Sequence, residues 1–560
     1  MVSSILYVAV IGFHHKRGCQ IEYCYPPLTD REGELPAAWQ NLPSLALPDG
    51  AHNVDNDVIY FLLPSLDDPN RSVFGISCYR QISAKDLLNK STDVTRSSVQ
   101  KSVCVLSRVP LFGILTAKLQ LITKAYFNER DFAKVSFRLI NRFLKVDVLC
   151  QLYENLCEMF PDAVTDEQAA VMDISVQSLV TTFRHRVLVL FKLLLLEKKV
   201  VFYISPVFQL SQLMVALTSL FPRLVEEGLF HAAAYNPNSQ KCSVENKTID
   251  ENEIVLEMGE DILGSKVLEF GNDVMVSVNI EENQVNENNP VEEFAHKDLL
   301  TSAAECTSET QSSTDISVES CSNLKRKQIL ATDSYGFPLS IFTKGSLFHP
   351  YLSICYLDMI RSDQTRAYCI GVTNALFVQR RDLLDVIVTV DDVGDGSIDI
   401  VDIELKRSLA LTAADLRFID FVLKEMEANA KSPSWEGSDD WIRLQMQAYL
   451  LSLIATVRAD LKDSLDDFNE AFITEWKMSN NYRILSCGDY PDLTSTIPGH
   501  PFAGGIGLSD VLLRMEHTAG GTGSGRRVAS AVVNTSKYFA DTSTRVKTSI
   551  ASWLKGTRSE

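Results

Sequence analysis

The chain has 560 residues, of which 46% are hydrophobic, and a formal net charge of −19 at pH 7. One hydrophobic core does not extend over that length, so two or three folded units are expected. Between Ser243 and Glu319, 19 acidic residues and 3 lysines give a net charge of −16, which leaves −3 for the rest of the chain. Because polyphosphate binding requires clustered Lys and Arg, this balance argues against a nucleic-acid partner.

The first pattern in chain order is a β-hairpin. An apolar strand, Ile5–Phe13, leads through a basic turn into a second strand, Cys19–Tyr25, which stops at Pro26 because proline has no N–H to donate to the sheet. Polar and apolar residues alternate along the second strand, which predicts one inward and one solvated face. Further strands are predicted at Asp57–Pro64, Ser72–Tyr79 and Lys101–Ser107. Strands followed by helices indicate a small α+β domain over residues 1–115.

From Leu115 onward, apolar residues recur every three or four positions, which predicts amphipathic helices. The segment Val187–Ile204 is dense in apolar residues, but Lys192 interrupts it and 197–199 (Glu-Lys-Lys) divides it. A membrane-spanning helix needs roughly 20 apolar residues, so a membrane span at 187–204 is the less favoured alternative. We expect a buried helix over Val176–Leu196 and then a central strand, Val200–Ile204, in a parallel sheet covered on both faces.

Residues 242–328 are rich in Glu, Asn, Ser and Thr and contain no Trp or Tyr. Such a segment buries too little apolar area to offset its ordering entropy, so an acidic, disordered insertion is predicted. After it, strands are predicted at Tyr368–Val378, Asp385–Val390 and Ile398–Glu404. A helical block follows, with Thr412 capping its first helix and Asp415 completing a capping box. Its predicted helices are Ala413–Glu427, Asp439–Leu461 and Ser464–Glu475.

No pattern predicts a catalytic residue, a cofactor-binding residue or a metal ligand. The chain has no GxSxG, Walker or GxGxxG sequence, and its 12 cysteines form no CxxC pair. The pair His14-His15 is predicted to diverge on a solvated turn. The stretch Asp391–Asp402 departs from a calcium loop, with Val393 at position three and Asp402 in place of a bidentate Glu at position twelve, so a hairpin is predicted there. Scattered thiols, and a start without a basic n-region, lead us to expect a cytoplasmic protein.

The C-terminal residues combine two features of a membrane-surface segment. A Gly-rich linker, residues 517–525, precedes a tail, 526–560, with an apolar stripe opposite a face of Ser, Thr and basic residues. This pattern favours a helix in the interface of an anionic or defect-rich membrane; a helix docked on the protein's own core, or a disordered tail, are the alternatives. The residues expected to contact the membrane are Phe539, Val546, Ile550, Trp553, Leu554, Lys537, Arg545 and Lys547.

Four stretches of this sequence resemble the late-secretory-pathway (Avl-type) branch of the DENN family. They are GFHHKRGCQIEYCYPPL at 12–28, VLSRVPLFGIL at 105–115, LLLLEKKVVFYISP at 193–206, and the helical block that ends near Arg514. The resemblance implies an α/β protein with a two-lobed DENN-type architecture. Its longin-like α+β lobe would be 1–115, its α/β core DENN lobe 116–241 with 329–411, and its helical downstream part 412–516.

The resemblance also implies a function. DENN-family proteins provide platforms for small GTPases of the Rab type, and several act as guanine-nucleotide exchange factors. We therefore expect a regulator of late secretory or recycling traffic that associates peripherally with Golgi or recycling-endosome membranes. Exchange requires stronger binding to the nucleotide-free GTPase and no covalent chemistry. The alternative is a non-catalytic GTPase effector or scaffold. The sequence identifies neither the GTPase nor the residues that contact it.

Overall fold

A computed structural model describes residues 3–28, 35–89, 96–132, 146–160, 167–233, 332–505 and 507–519. The predicted acidic insertion, 242–328, lies outside the described residues, and so does the predicted tail, 526–560, with all of its membrane-contact residues. All described residues belong to one compact unit of the chain, so contacts between its two sheets can be read directly.

The first sheet has five antiparallel strands in the spatial order β2-β1-β5-β4-β3. The strands are β1 (Ile5–His14), β2 (Gly18–Tyr25), β3 (Asn56–Pro64), β4 (Ser72–Ser83) and β5 (Ser98–Ser107). Helices cover both faces, and they are α1 (Leu42–Ala46), α2 (Phe112–Asn128) and α3 (Val146–Met159).

Successive side chains of a strand point to opposite faces of the sheet, so residues of the first sheet contact helices on both faces. The Tyr60 ring stacks on Phe112 of α2, with ring centroids 4.8 Å apart. On the other face, the Ser77 hydroxyl donates to the Ala46 carbonyl of α1 at 2.8 Å. The predicted hairpin is confirmed, but the prediction of a solvated face on its second strand is wrong. Every β2 side chain except Glu22 is at least half-buried, because α1 and α3 contact this edge strand.

The second sheet has the spatial order β10-β9-β6-β8-β7. The strands are β6 (Lys199–Tyr203), β7 (Ser346–His349), β8 (Ala367–Val372), β9 (Val386–Val390) and β10 (Gly396–Ile400). Strand β6 is central and parallel to both β8 and β9, and only β10 runs antiparallel to its neighbour. Val200 and Phe202 face the main core while Val201 faces a second apolar cluster. The predicted parallel, covered sheet is confirmed.

Helices pack on both faces of the second sheet. They are α4 (Val176–Phe183), α5 (Val187–Leu195) and α6 (Val207–Thr218) before the insertion, and α7 (Leu357–Arg361) and α8 (Ala375–Gln379) after it. Among the residues that the structure describes, no helix is both long and apolar enough to cross a membrane. Helix α5 has nine residues, and its Leu195 is fully buried in the core.

The single buried helix predicted over Val176–Leu196 is wrong. Arg184 has a φ of 47° and separates α4 from α5 with a 3-10 turn. The break fits the packing against β10: a Cβ at Gly396 would lie 2.3 Å from the Phe183 ring. Arg186 also donates to the Gly396 carbonyl at 2.8 Å. Contacts with a strand about 200 residues away therefore override the local helical pattern.

Two predicted strands are too long, because each ends at a helix cap. The prediction Tyr368–Val378 fails after Val372, since the Asn374 side chain accepts a hydrogen bond from the Leu376 N–H and starts α8. The prediction Ile398–Glu404 fails after Ile400, where Asp402 caps α9 (Ile403–Ser408). Both caps are residue types that favour helix starts. The hairpin predicted within 391–402 is confirmed by the antiparallel pairing of β9 and β10.

The helical block begins as predicted, with both hydrogen bonds of the Thr412–Asp415 capping box present. The predicted helix Ser464–Glu475 is wrong: a 3-10 turn at Asp466–Phe468 and a φ of 75° at Asn469 interrupt it. The helices of the block are α10 (Ala413–Lys431), α11 (Asp439–Ala459), α12 (Lys462–Leu465), α13 (Glu470–Lys477), α14 (Asn480–Cys487) and α15 (Leu508–Ala519).

A buried ion pair joins this block to α5. The Lys192 ammonium, which interrupts the apolar segment in sequence, lies 2.6 Å from the Asp415 carboxylate, and both side chains are completely buried. Lys192 also donates to the Phe468 carbonyl at 3.2 Å. The other Asp415 oxygen accepts the Tyr449 hydroxyl at 2.9 Å, and the Thr412 N–H donates to the carboxylate at 3.1 Å. Each charge is therefore paired and hydrogen-bonded, as burial requires.

A buried histidine completes the group. Burial lowers the pKa of His500, so its ring is neutral at pH 7. Its Nδ1 accepts the Phe502 N–H at 3.0 Å, which places the remaining proton on Nε2, 3.4 Å from Asp415. Burial alone would raise the pKa of the Asp415 carboxyl, but the Lys192 ammonium and His500 hold that pKa below its usual range.

Asp415→Asn tests this pairing, because it keeps the side-chain shape and leaves Lys192 buried without a counter-charge. We expect a loss of about 3–5 kcal/mol in the free energy of unfolding, measured by urea denaturation. Adding Lys192→Met should recover much of the loss. The matched control is Asp420→Asn on the same helix, whose partner Lys424 is 70% exposed; it should cost less than about 1 kcal/mol.

The ion pair also predicts a pH dependence. Since the folded pKa of Asp415 lies below its unfolded value, the carboxylate stabilises the fold at neutral pH. That stability is lost as the pH falls below the unfolded pKa, about 3.9. Equal stability of Asp415→Asn and the wild type at pH 7 would contradict the assignment.

Candidate functional site: the junction of the two sheets

The first contact between the sheets is a helix cap supplied from a distant strand. Helix α6 follows Pro206, whose side chain offers no oxygen to the free N–H groups of the first turn. The buried carboxylate of Asp57, at the start of β3, accepts the N–H of Val207 at 2.9 Å and of Phe208 at 2.8 Å. A carboxylate at a helix N-terminus is also favoured by the helix dipole. One side chain therefore connects β3 of the first sheet directly to α6, which follows the central strand of the second.

Neighbouring polar groups extend this contact along β3 and α6. The Tyr60 N–H donates to the Ser211 hydroxyl at 3.3 Å, and the Gln212 amide donates to the Tyr60 hydroxyl at 2.9 Å. Burial raises the pKa of Asp57, and its hydrogen bonds from Phe208 and Val207 oppose that shift. Since apolar residues of both sheets also belong to one continuous core, β3 and α6 form a tightly packed seam.

The second contact is made by the loop that follows α1. The Asp49 N–H donates to the Tyr351 hydroxyl at 2.7 Å, and its carbonyl accepts the Thr373 hydroxyl at 3.0 Å. Its carboxylate accepts the Ser353 hydroxyl at 3.2 Å and the Ile354 N–H at 2.9 Å. Asp49 thus binds, through main chain and side chain together, the segments that leave the carboxyl ends of β7 and β8.

The position of the Asp49 loop bears on the kind of ligand that the junction can bind. Open α/β sheets bind small ligands in the crevice outside the carboxyl ends of their strands. Here the Asp49 loop fills that place beside β7 and β8, which favours a surface over a small-molecule crevice. We call the exposed residues of this loop and of the two segments that it binds the junction surface. They are Gly50, His52, Asn53, Cys355 and Leu376. The Leu376 side chain is 51% exposed, which suits contact with a macromolecule.

Among the described residues, no group of three or more His, Cys, Asp or Glu side chains is placed to hold a metal ion. The predicted divergence of the two turn histidines is wrong, since the His14 and His15 rings stack with centroids 4.8 Å apart. Burial raises the pKa of Cys19, near Asp49, to about 11, so this thiol is protonated and unreactive at pH 7.

Sequence reasoning missed both junction aspartates. Asp57 looks like an ordinary polar residue at the start of an apolar strand, and Asp49 like part of a Pro- and Gly-containing loop. The one available signal was Pro206, because a helix that begins after proline without a capping side chain requires a cap from elsewhere.

Asp57→Asn tests the cap. The substituted amide keeps one oxygen but turns an NH₂ group toward a backbone N–H, so we expect a loss of about 1–3 kcal/mol in the free energy of unfolding. Amide hydrogen exchange at Val207 and Phe208 should accelerate. Asp55→Asn, at an exposed position two residues earlier, is the control and should change neither quantity. Unchanged exchange at Val207 in Asp57→Asn would refute the role of the cap.

Comparison with known proteins gives the family of this chain. The family model described as "Transport protein Avl9" matches residues 5–457. The "Late secretory pathway protein avl9" of Schizosaccharomyces pombe is 29% identical over 518 residues, which cover 89% of this chain and 90% of that protein. The "Late secretory pathway protein AVL9" of Saccharomyces cerevisiae is 28% identical over 532 residues, which cover 86% of this chain and 58% of that protein. Because the family match covers more than half of its length, the chain belongs to the Avl9 family of transport proteins.

Proposed function

We propose that this Avl9-family chain regulates late secretory membrane traffic by binding a small GTPase of the Rab type on the junction surface. The observation that carries the proposal is the double attachment at Asp57 and Asp49, which joins segments of the first sheet to segments of the second beside the exposed residues of the junction surface. The names of the two yeast relatives support the pathway. The resemblance to DENN proteins supports the GTPase and a two-lobed DENN-type arrangement.

The two sheets fit the two expected lobes in their chain order. The antiparallel first sheet, with helices on both faces, corresponds to the longin-like α+β lobe, and the mainly parallel second sheet corresponds to the α/β core lobe. The helical block, α10 to α15, corresponds to the downstream part. In this proposal the chain contributes no covalent chemistry, and its activity is guanine-nucleotide exchange.

Exchange places a quantitative requirement on the junction surface. To convert a GTPase from 99% nucleotide-bound to 99% nucleotide-free, the surface must bind the free form about 10⁴-fold more tightly. A rigid surface meets this requirement more readily than a mobile one, because little ordering opposes binding. The joints at Asp49 and Asp57 supply that rigidity, since their polar groups are at least partly buried and hydrogen-bonded. An effector would show the reverse preference, for the GTP-bound form.

The test is a binding assay of the full chain against a panel of Rab-type GTPases in the nucleotide-free, GDP-bound and GTP-bound states. We expect one member to bind preferentially when nucleotide-free and to release GDP faster in the presence of the chain. Leu376→Asp should weaken this binding at least tenfold, because it places a charge at the centre of an apolar contact.

The control for this assay is Ile403→Asp, which changes an equally apolar and 79% exposed side chain on α9. It should bind as the wild type does. If the chain bound the GTP-bound state of the GTPase most tightly, it would be an effector or scaffold and not an exchange factor. Binding unaffected by Leu376→Asp would remove the junction surface from the proposal.

The C-terminal tail, which lies outside the described residues, is proposed as the attachment to Golgi or recycling-endosome membranes. Trp553→Glu with Phe539→Glu should release the full chain from anionic vesicles in a flotation assay, because both side chains belong to the apolar stripe. Thr548→Glu with Ser552→Glu adds the same charge to the opposite face and should retain most of the binding. Equal flotation after removal of 526–560 would assign attachment to another part of the chain or to a partner.

A further inference from the structure

A group of basic residues meets at one end of the first sheet. Strands β1 and β2 join there through the turn that contains Lys16 and Arg17. Strand β4 ends and β5 begins at the same end, where Ser83 pairs with Ser98 and the Ala84 N–H donates to the Ser97 carbonyl at 2.8 Å.

Helix α2 also ends there, because it returns along the sheet after β5. The Leu88 N–H donates to the Arg130 carbonyl at 2.9 Å, which joins the chain after β4 to the end of α2. We call this region the basic end and define it by the residues Lys16, Arg17, Lys85, Leu88, Arg96 and Arg130.

The basic end has a positive charge that its own neighbours do not cancel. Its five Lys and Arg residues are all exposed, and within the described part of the chain none of them forms an ion pair. Three carboxylates lie next to them in sequence, the exposed Asp86 and Glu129 and the buried Asp131, so five positive and three negative charges give a net of +2. In a chain of net charge −19, this is a local reversal of sign.

The basic end also exposes apolar surface. Leu88 is 70% exposed among the charges. The Arg96 guanidinium lies 4.4 Å from the centroid of the half-buried Phe13 ring, so it remains close to the protein surface. Cations together with a projecting leucine are what an anionic bilayer binds: its headgroups attract the charges and its interface accepts the side chain. A purely polar acidic ligand would gain nothing from Leu88.

An acidic polar ligand, such as the predicted acidic segment of the chain itself, is the competing occupant, and the exposed Leu88 side chain favours a membrane over it. We propose that the basic end binds the anionic phospholipid headgroups of a membrane, as a contact additional to the C-terminal tail.

The test is flotation of the full chain with phosphatidylcholine vesicles, with and without about 30% phosphatidylserine. The wild type should bind the phosphatidylserine vesicles preferentially, and added salt should weaken binding. The site variant is Lys16→Glu with Arg17→Glu and Lys85→Glu. Each cation near an anionic surface adds about fivefold to the partition coefficient, so we expect at least a tenfold loss for this variant.

The control variant reverses three other exposed cations on α9 and α10: Lys406→Glu with Arg407→Glu and Lys431→Glu. It should change binding less than about twofold, since these residues lie on α9 and α10 and not at the basic end. Leu88→Ser should weaken binding without a change in charge, whereas Ile497→Ser, at a 66% exposed position in a loop, should not.

Equal losses in the site and control variants would overturn the proposal, because they would show a general effect of net charge. Unchanged binding by the site variant would overturn it too. The readout needs no GTPase, so its failure is distinct from failure of the proposed function.

Discussion

The carboxylate of Asp57 links β3 of the first sheet to α6, the helix that follows the central strand of the second sheet. It replaces the missing cap of α6 and lies on β3, so the same hydrogen bonds complete a helix and connect two sheets. A buried carboxylate is tolerated only when its oxygens are satisfied, which fixes the position of α6 against β3 to within hydrogen-bond distance. The loop that contains Asp49 makes a second connection, because Asp49 forms hydrogen bonds with Tyr351 and Thr373, which follow the carboxyl ends of β7 and β8.

A second buried acid, Asp415, connects the helical block to the rest of the protein in a similar way. Asp415 serves the N-terminus of α10 and neutralises Lys192 of α5, so the block is tied to the helix beside the central strand. In both places a polar group that is costly to bury becomes a specific connector, because only one partner geometry satisfies it. The junction surface gains its rigidity from such connectors together with the continuous apolar core.

Local patterns in the sequence predicted the described strands other than β7, because alternation, apolar runs and turn residues are encoded within a few positions. They also predicted β6 as the central strand. They failed at Arg184, where the break in the helix accompanies contacts with Gly396, and at the β2 face, which distant helices cover. The helix starts after Asn374 and Asp402 were readable as caps and were missed. The roles of Asp49 and Asp57 could not be predicted from local patterns, since their hydrogen-bond partners lie 150 or more residues away in the chain.

We propose that the GTPase binds one surface that is built from both sheets. Hydrogen–deuterium exchange of the full chain, with and without a saturating nucleotide-free GTPase partner, tests this proposal. We expect simultaneous protection of residues 47–53, in the loop after α1, and of 351–356 and 373–379, in the segments after β7 and β8. Protection confined to one sheet, or located only on the helical block, would contradict it.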